Sequence, residues 1–151
     1  MFKKVFALLS LLLIISGCGY VAVYKGVAKF NYKILVSEHT GDRDMINLIN
    51  TRLKKYSEIK SDKNFIIKID TIYQKNIIAK DTAGKATDYQ IKVTSNFNIK
   101  SEVINKIIKI NETFNVKAMD NKFEEQRYDT IIKNNIANTI VKRIILQLSR
   151  N

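Results

Sequence analysis

The 151-residue chain has no proline, no tryptophan, one cysteine, one histidine and five glycines. Each scarcity excludes something. A lone thiol has no second cysteine to pair with, so no disulfide supports the fold and an apolar core must. One histidine and one cysteine leave no ordinary zinc spacing. That histidine, His39, falls in a polar stretch read as a turn before the first helix, where a single imidazole is a surface residue rather than a base. The five scattered glycines build no GxSxG, Walker or dinucleotide loop. Acids are also scarce, with 14 Asp and Glu against 26 Lys and Arg, a formal net charge of +12. Such a balance suits a polyanion: nucleic acid, anionic lipid or an acidic glycolipid. No aromatic platform or helix-turn-helix pattern supports nucleic acid. The abundance of Ile, Lys and Asn is typical of AT-rich coding sequence, which accounts for part of the lysine excess. Glu124 and Glu125 open the last helix, where the helix dipole favours acids, and read as caps rather than a catalytic pair. No enzyme is expected.

The N-terminus carries the clearest signal. Lys3 and Lys4 precede an apolar run from Val5 to Ile15, interrupted by Ser10 and ending in Ile15-Ser16-Gly17-Cys18. The run is too short for a mature helix to cross about 30 Å of hydrocarbon. It resembles a lipobox, in which signal peptidase II cuts before a cysteine whose thiol has been diacylated. Two readings compete with it: a general secretory signal with an incidental cysteine, and a short uncleaved anchor. On the lipobox reading, residues 1–17 are signal peptide, 18–31 a lipidated tether and 32–151 a single domain. The covalent lipid on Cys18 is the only non-protein group expected, and no cofactor or metal is. Several acyl chains on one residue anchor stably, so the mature chain sits on a membrane without crossing it. Gly19, by resemblance to the sorting rule of enteric-type bacteria, favours the outer membrane. Gly19 to Asn31 spans at most about 40 Å, which holds the domain close to the bilayer.

Periodicity then gives the layout. Tyr32 to Val36 reads as a strand, followed by turn and capping residues at Thr40 to Asp42. Met45, Leu48, Ile49, Leu53 and Tyr56 recur at helical spacing over residues 43–56. The period then falls to two: Phe65, Ile67 and Ile69 begin a long second strand, Asp81 to Lys85 with Gly84 marks a turn, and Tyr89 to Lys100 alternates as a third. A fourth strand runs from Ile108 to Lys117, with Glu112 as a misfit on its apolar side. From Tyr128 to Leu148 an apolar stripe at spacings of four marks a long closing helix. The expected fold is an α+β two-layer sandwich, with two helices on one face of a four-stranded, mostly antiparallel sheet.

The other face of that sheet is the candidate site. Thr94, Asn96, Asn98, Asn111, Thr113 and Asn115 are uncharged hydrogen-bonding residues, with lysines toward the strand ends. Two readings stand: an ordinary solvated face, or a face packed against a polar surface such as the lumen of an outer-membrane β-barrel.

A lipobox followed by Gly19-Tyr20, then strand, helix, meander and long C-terminal helix, resembles the LptE family of lipopolysaccharide-assembly lipoproteins. Residues Ala79 to Gln90 (AKDTAGKATDYQ) are similar to the family's hairpin, where a polar Gly turn leads to an acid, Tyr and a strand. Asn134 to Arg143 (NNIANTIVKR) is similar to its helix with a central alanine and basic residues near the end. The resemblance implies a plug inside an LptD β-barrel that helps the barrel assemble and contacts lipopolysaccharide at the outer membrane. It makes Lys80, Lys85 and Lys122 the lipopolysaccharide-binding candidates, as compact cations for phosphate or carboxylate; each also fits a plain solvated lysine. The family often carries a basic residue at the hairpin tip, where this chain has Thr82 and Ala83. The long polar tail of some members is absent. An accessory lipoprotein of a phospholipid-transport or secretion complex, using the same domain on another partner, remains the alternative.

Overall fold

A computed structural model describes residues 32–150. The expected signal peptide, Cys18 and the expected tether lie outside the described residues. Six elements follow in the expected order: β1 (Lys33–Gly41), α1 (Arg43–Ser57), β2 (Asn64–Lys80), β3 (Ala86–Lys100), β4 (Asn105–Lys117) and α2 (Lys122–Ser149). The strands form one open sheet in the order β1-β2-β3-β4. β1 runs parallel to β2, because α1 carries the chain back across the sheet, and the other two pairings are antiparallel.

One parity of each strand is buried. Ile34, Phe65, Ile67, Ile69, Ile91, Val93, Phe97, Ile99, Ile108, Ile110 and Val116 join Met45, Ile49 and Leu53 of α1 and the Ile132–Leu148 stripe of α2 in a single core. Since all these strand residues point one way, both helices lie on that face. Phe65 and Phe97 are fully buried, and truncating either to Ala would cost about 3–5 kcal/mol.

Three polar residues interrupt the apolar face, and each has a partner. Thr71 and Ser95, opposite one another on β2 and β3, share a hydrogen bond of 3.0 Å between their hydroxyls. The misfit Glu112, 8% exposed, lies 2.8 Å from a guanidinium nitrogen of Arg143 on α2. The contact is an ion pair without hydrogen-bond alignment, and it accounts for the acid on the buried side.

Two sequence-based expectations need correction. β1 does not stop at Val36 but continues to Gly41, so His39 is a strand residue paired with Ile69 and not a turn residue. A bulge between Val36 and Glu38 keeps the strand on β2 and turns Glu38 and Thr40 to the polar face. Glu124 and Glu125 do not cap α2. The cap is Asn121, whose side-chain oxygen accepts from Phe123 N at 2.9 Å, while Glu125 pairs with Lys75.

The turn from β1 into α1 is consequently only Gly41-Asp42. Asp42 caps α1 by accepting from Met45 N at 2.9 Å, and its own N–H donates to the Thr71 carbonyl at 2.7 Å. Gly41 has φ +103°, and a Cβ there would fall on the Thr71 carbonyl oxygen. Gly41→Ala should therefore destabilise the protein by more than about 2 kcal/mol, from backbone strain plus displacement of β2. Gly84→Ala, at φ +81° in open space, should carry only the strain, about 1–2 kcal/mol. Urea unfolding of the two variants checks the order; equal losses would mean that the contact with Thr71 is slack.

Candidate functional site

The face turned away from the helices is a set of cross-strand rows. Thr40, Asp70, Asn96 and Lys109 stand side by side across all four strands. Beyond them come Ile72-Thr94-Asn111, Gln74-Lys92-Thr113 and Asn76-Gln90-Asn115. All six expected residues (Thr94, Asn96, Asn98, Asn111, Thr113 and Asn115) are on this face, as their spacing required.

Their side chains bond to one another along the rows. Thr94 Oγ1 donates to Asn111 Oδ1 at 3.0 Å, Asn96 Nδ2 to Asp70 Oδ2 at 3.3 Å and Gln90 Nε2 to Asn115 Oδ1 at 3.3 Å. Asp70 also accepts from Thr40 Oγ1 at 2.9 Å, and Lys68 pairs with Glu38 at 2.7 Å. Asp70 and Gln90 were absent from the candidate residues. Their period-two placement was visible in the sequence, but their partners depend on register. Asn98, between Lys68 and Ile107, keeps Oδ1 buried and without a hydrogen-bond partner. The face is not wholly polar, since Leu35, Ile66, Ile72 and Ile107 on it are exposed.

The candidate lysines gather at the far end of the β2–β3 hairpin. Lys80 pairs with Ala86 across the turn. Within that turn Asp81 Oδ1 accepts from Ala83 N and Lys85 N, both at 2.9 Å. Lys85 Nζ lies 2.6 Å from Asp120, and this exposed contact holds the lysine up and the carboxyl down from their ordinary values. Lys122 opens α2 and lines a cleft of about 240 Å³ with Lys75, Glu125, Gln126 and Asp129. The end therefore carries carboxylates beside its cations.

A second polar cluster, unforeseen from the sequence, ties β2 to α2. Lys75 Nζ meets Glu125 at 2.9 Å and Asp129 at 3.4 Å, and the Tyr73 hydroxyl donates to Asp129 at 3.3 Å. Lys133, one turn on, reaches Asp44 of α1 at 2.8 Å and lies over the Tyr73 ring. Burial is the largest effect on Lys75 and works against its charge. The hydrogen bond to Glu125 and the charges of Asp129 and Glu125 together outweigh it and hold the ammonium up. Burial, then the Asp129 charge and hydrogen bond, push the Tyr73 phenol well above its usual range. Nearer the middle of α2, Arg52 donates to Leu48 O and to the side-chain oxygens of Asn134 and Asn138. Among the described residues no group of acids, cysteines or histidines is arranged to hold a metal, and no helix is long and apolar enough to cross a membrane.

No family model matches the sequence, and no curated protein matches it. Solved structures do share its architecture. Rare lipoprotein B from Shewanella oneidensis superposes with a TM-score of 0.59 over 78% of this chain and 94% of that one, at 10% identity. The fold is one that lipoproteins use. A minor lipoprotein from Acinetobacter baumannii gives 0.53 over 78% and 92% at 12% identity. A lipoprotein B from Nitrosomonas europaea gives 0.52 over 80% and 88% at 13% identity. At such identities the likeness establishes the fold alone.

The Tyr73–Lys75 cluster makes stability pH-dependent in a defined direction. Both groups hold their protons more tightly folded than unfolded, so unfolding releases protons in alkali. Their contribution to stability is then fully present below about pH 10 and is lost as pH rises beyond it. Tyr73→Phe should flatten that fall and lower neutral-pH stability by about 1 kcal/mol through the lost hydrogen bond. Urea unfolding at neutral and alkaline pH checks both; an unchanged alkaline slope would place the titration elsewhere.

Proposed function

We propose that this protein is an outer-membrane lipoprotein, anchored through acylated Cys18. In this reading it plugs the lumen of an LptD-type β-barrel, helps that barrel assemble and assists insertion of lipopolysaccharide into the outer leaflet. The observation that carries this reading is the sheet face that both helices leave uncovered. Its ladder of amides and hydroxyls matches the polar interior of a large membrane barrel. The lipoprotein fold and the resemblance to the LptE family support the same reading.

Length supports it too. The 17 residues of β2, at about 3.3 Å each, extend up to about 55 Å, more than the roughly 30 Å hydrocarbon core. A domain tethered at the inner leaflet by its N-terminal end would thus present Lys80 and Lys85 near the outer one. The Lys85–Asp120 pair is exposed, and such pairs contribute little net energy, so the lysine can exchange its carboxylate for a lipid A phosphate. The mechanism is binding, with no bond made or broken.

Two variants test the reading. Cys18→Ala should release the protein from membranes; retention after a salt wash in cells depleted of the barrel would mean that the signal persists as an anchor. Asn96→Trp puts a bulky ring in the centre of the polar face, on the side away from the core. Barrel recovered by co-purification should fall about tenfold while the melting curve stays in place. An undiminished yield would leave the face merely solvated and remove the plug.

A further inference from the structure

The end of the domain nearest the tether differs from the hairpin end in its apolar exposure. The register brings the start of β1, the start of β2, the end of β3 and the start of β4 together there: Lys33 faces Asn64, Ile66 faces Lys100, and Lys100 faces Asn105. The chain enters at this end, with Lys33 N donating to Lys63 O at 3.0 Å. The β3–β4 loop is closed by Ser101 N to Ile104 O at 2.8 Å and by Ile104 N to Ser101 Oγ at 3.0 Å. This tight loop thrusts Val103 outward, 92% exposed, with Ile107 beyond it at 71%. An aliphatic side chain held in water by a hydrogen-bonded loop forgoes the gain of burial.

The same end is rich in cations. Lys33, Lys60, Lys63, Lys100 and Lys106 belong to this end against the acids Glu58, Asp62 and Glu102, and none of the lysines is in an ion pair among the described residues. Between the chain entry and the loop lies a cleft of about 340 Å³, lined by Tyr32, Lys63, Ser101, Val103 and Ile104 among others. Exposed aliphatics at a lysine-rich end, beside an amphipathic tyrosine, are the chemistry of a headgroup contact.

We infer that this end of the domain is a second membrane contact, in which the β3–β4 loop seats Val103 among the headgroups of an anionic bilayer while the lysines of the same end face lipid phosphates. The inference rests on the lipid anchor at Cys18 but not on the barrel. A tether of at most about 40 Å already confines this end to the bilayer surface, so the contact forms without a further search. Glu102, next to Val103, keeps the loop at headgroup depth. Surface charge and a few aliphatic atoms add a weak interaction to a strong anchor, and its effect is to fix orientation. The sheet stands end-on, with the hairpin tip pointing away from the leaflet that holds the lipid.

The chain contains no tryptophan, so one introduced indole reports one position. The full mature protein carrying Val103→Trp is reconstituted in vesicles of phosphatidylcholine with phosphatidylglycerol, and the same is done for Thr82→Trp at the opposite turn. Both sites are exposed and neither substitution disturbs the core. The Val103→Trp emission should shift to the blue and be quenched by headgroup-proximal brominated lipid at least about fivefold more than that of Thr82→Trp. The difference should shrink in pure phosphatidylcholine and at high salt, where charges are screened beyond a few ångströms. Equal quenching at the two positions, or none at Val103→Trp, overturns the inference. Intact mass separates the two premises. If the chain carries no acyl group the anchor reading falls; quenching of that unacylated chain by added vesicles still upholds the loop contact, and its absence overturns it.

Discussion

The two-residue turn at Gly41-Asp42, pressed onto the backbone of Thr71, fixes how the two layers meet. The Thr71 carbonyl accepts the Asp42 N–H while its hydroxyl bonds to Ser95 inside the core. One residue thus joins β1, the start of α1, β2 and β3. Because no side chain fits at Gly41, α1 begins against the sheet with little slack, and its Met45, Ile49 and Leu53 face the core. The parallel pairing of β1 follows from that placement. With α1 set, α2 fills the remaining width and ties to it through Arg52, Asn134 and Asn138. The buried Ala137 in this stretch lets the helix sit close.

Much of the fold was legible because two periods were clean. Alternation in β3 and β4 separated the buried face from the polar one residue by residue, and the spacing of four along α2 marked the stripe that covers it. What escaped was local and depended on partners. The extension of β1 through His39 was hidden, because Ser37 to Thr40 are polar and only the pairing with β2 makes them a strand. Glu112 looked like an error of pattern until Arg143, thirty-one residues later, came to stand beside it.

The candidate site divides in the same way. The six polar-face residues were found by parity, yet their bonding to Asp70 and Gln90 needed register, which no single strand reveals. Lys80, Lys85 and Lys122 do converge on one end, but Asp120 and Glu125 come with them and make that end mixed in charge rather than simply basic. The Tyr73–Lys75 cluster was invisible because its acids sit on a helix some fifty residues away.

The topology also orders assembly in time. Strands β2, β3 and β4 are joined by short turns, so their pairings close small loops and form from neighbours in sequence. β1 meets β2 only across α1, at a separation of about thirty residues, and gains no partner until that crossover is in place. Within the sheet, β1 is therefore the strand whose pairing closes the longest loop. The β2–β3–β4 meander, built from neighbours in sequence, supplies the edge on which β1 then pairs.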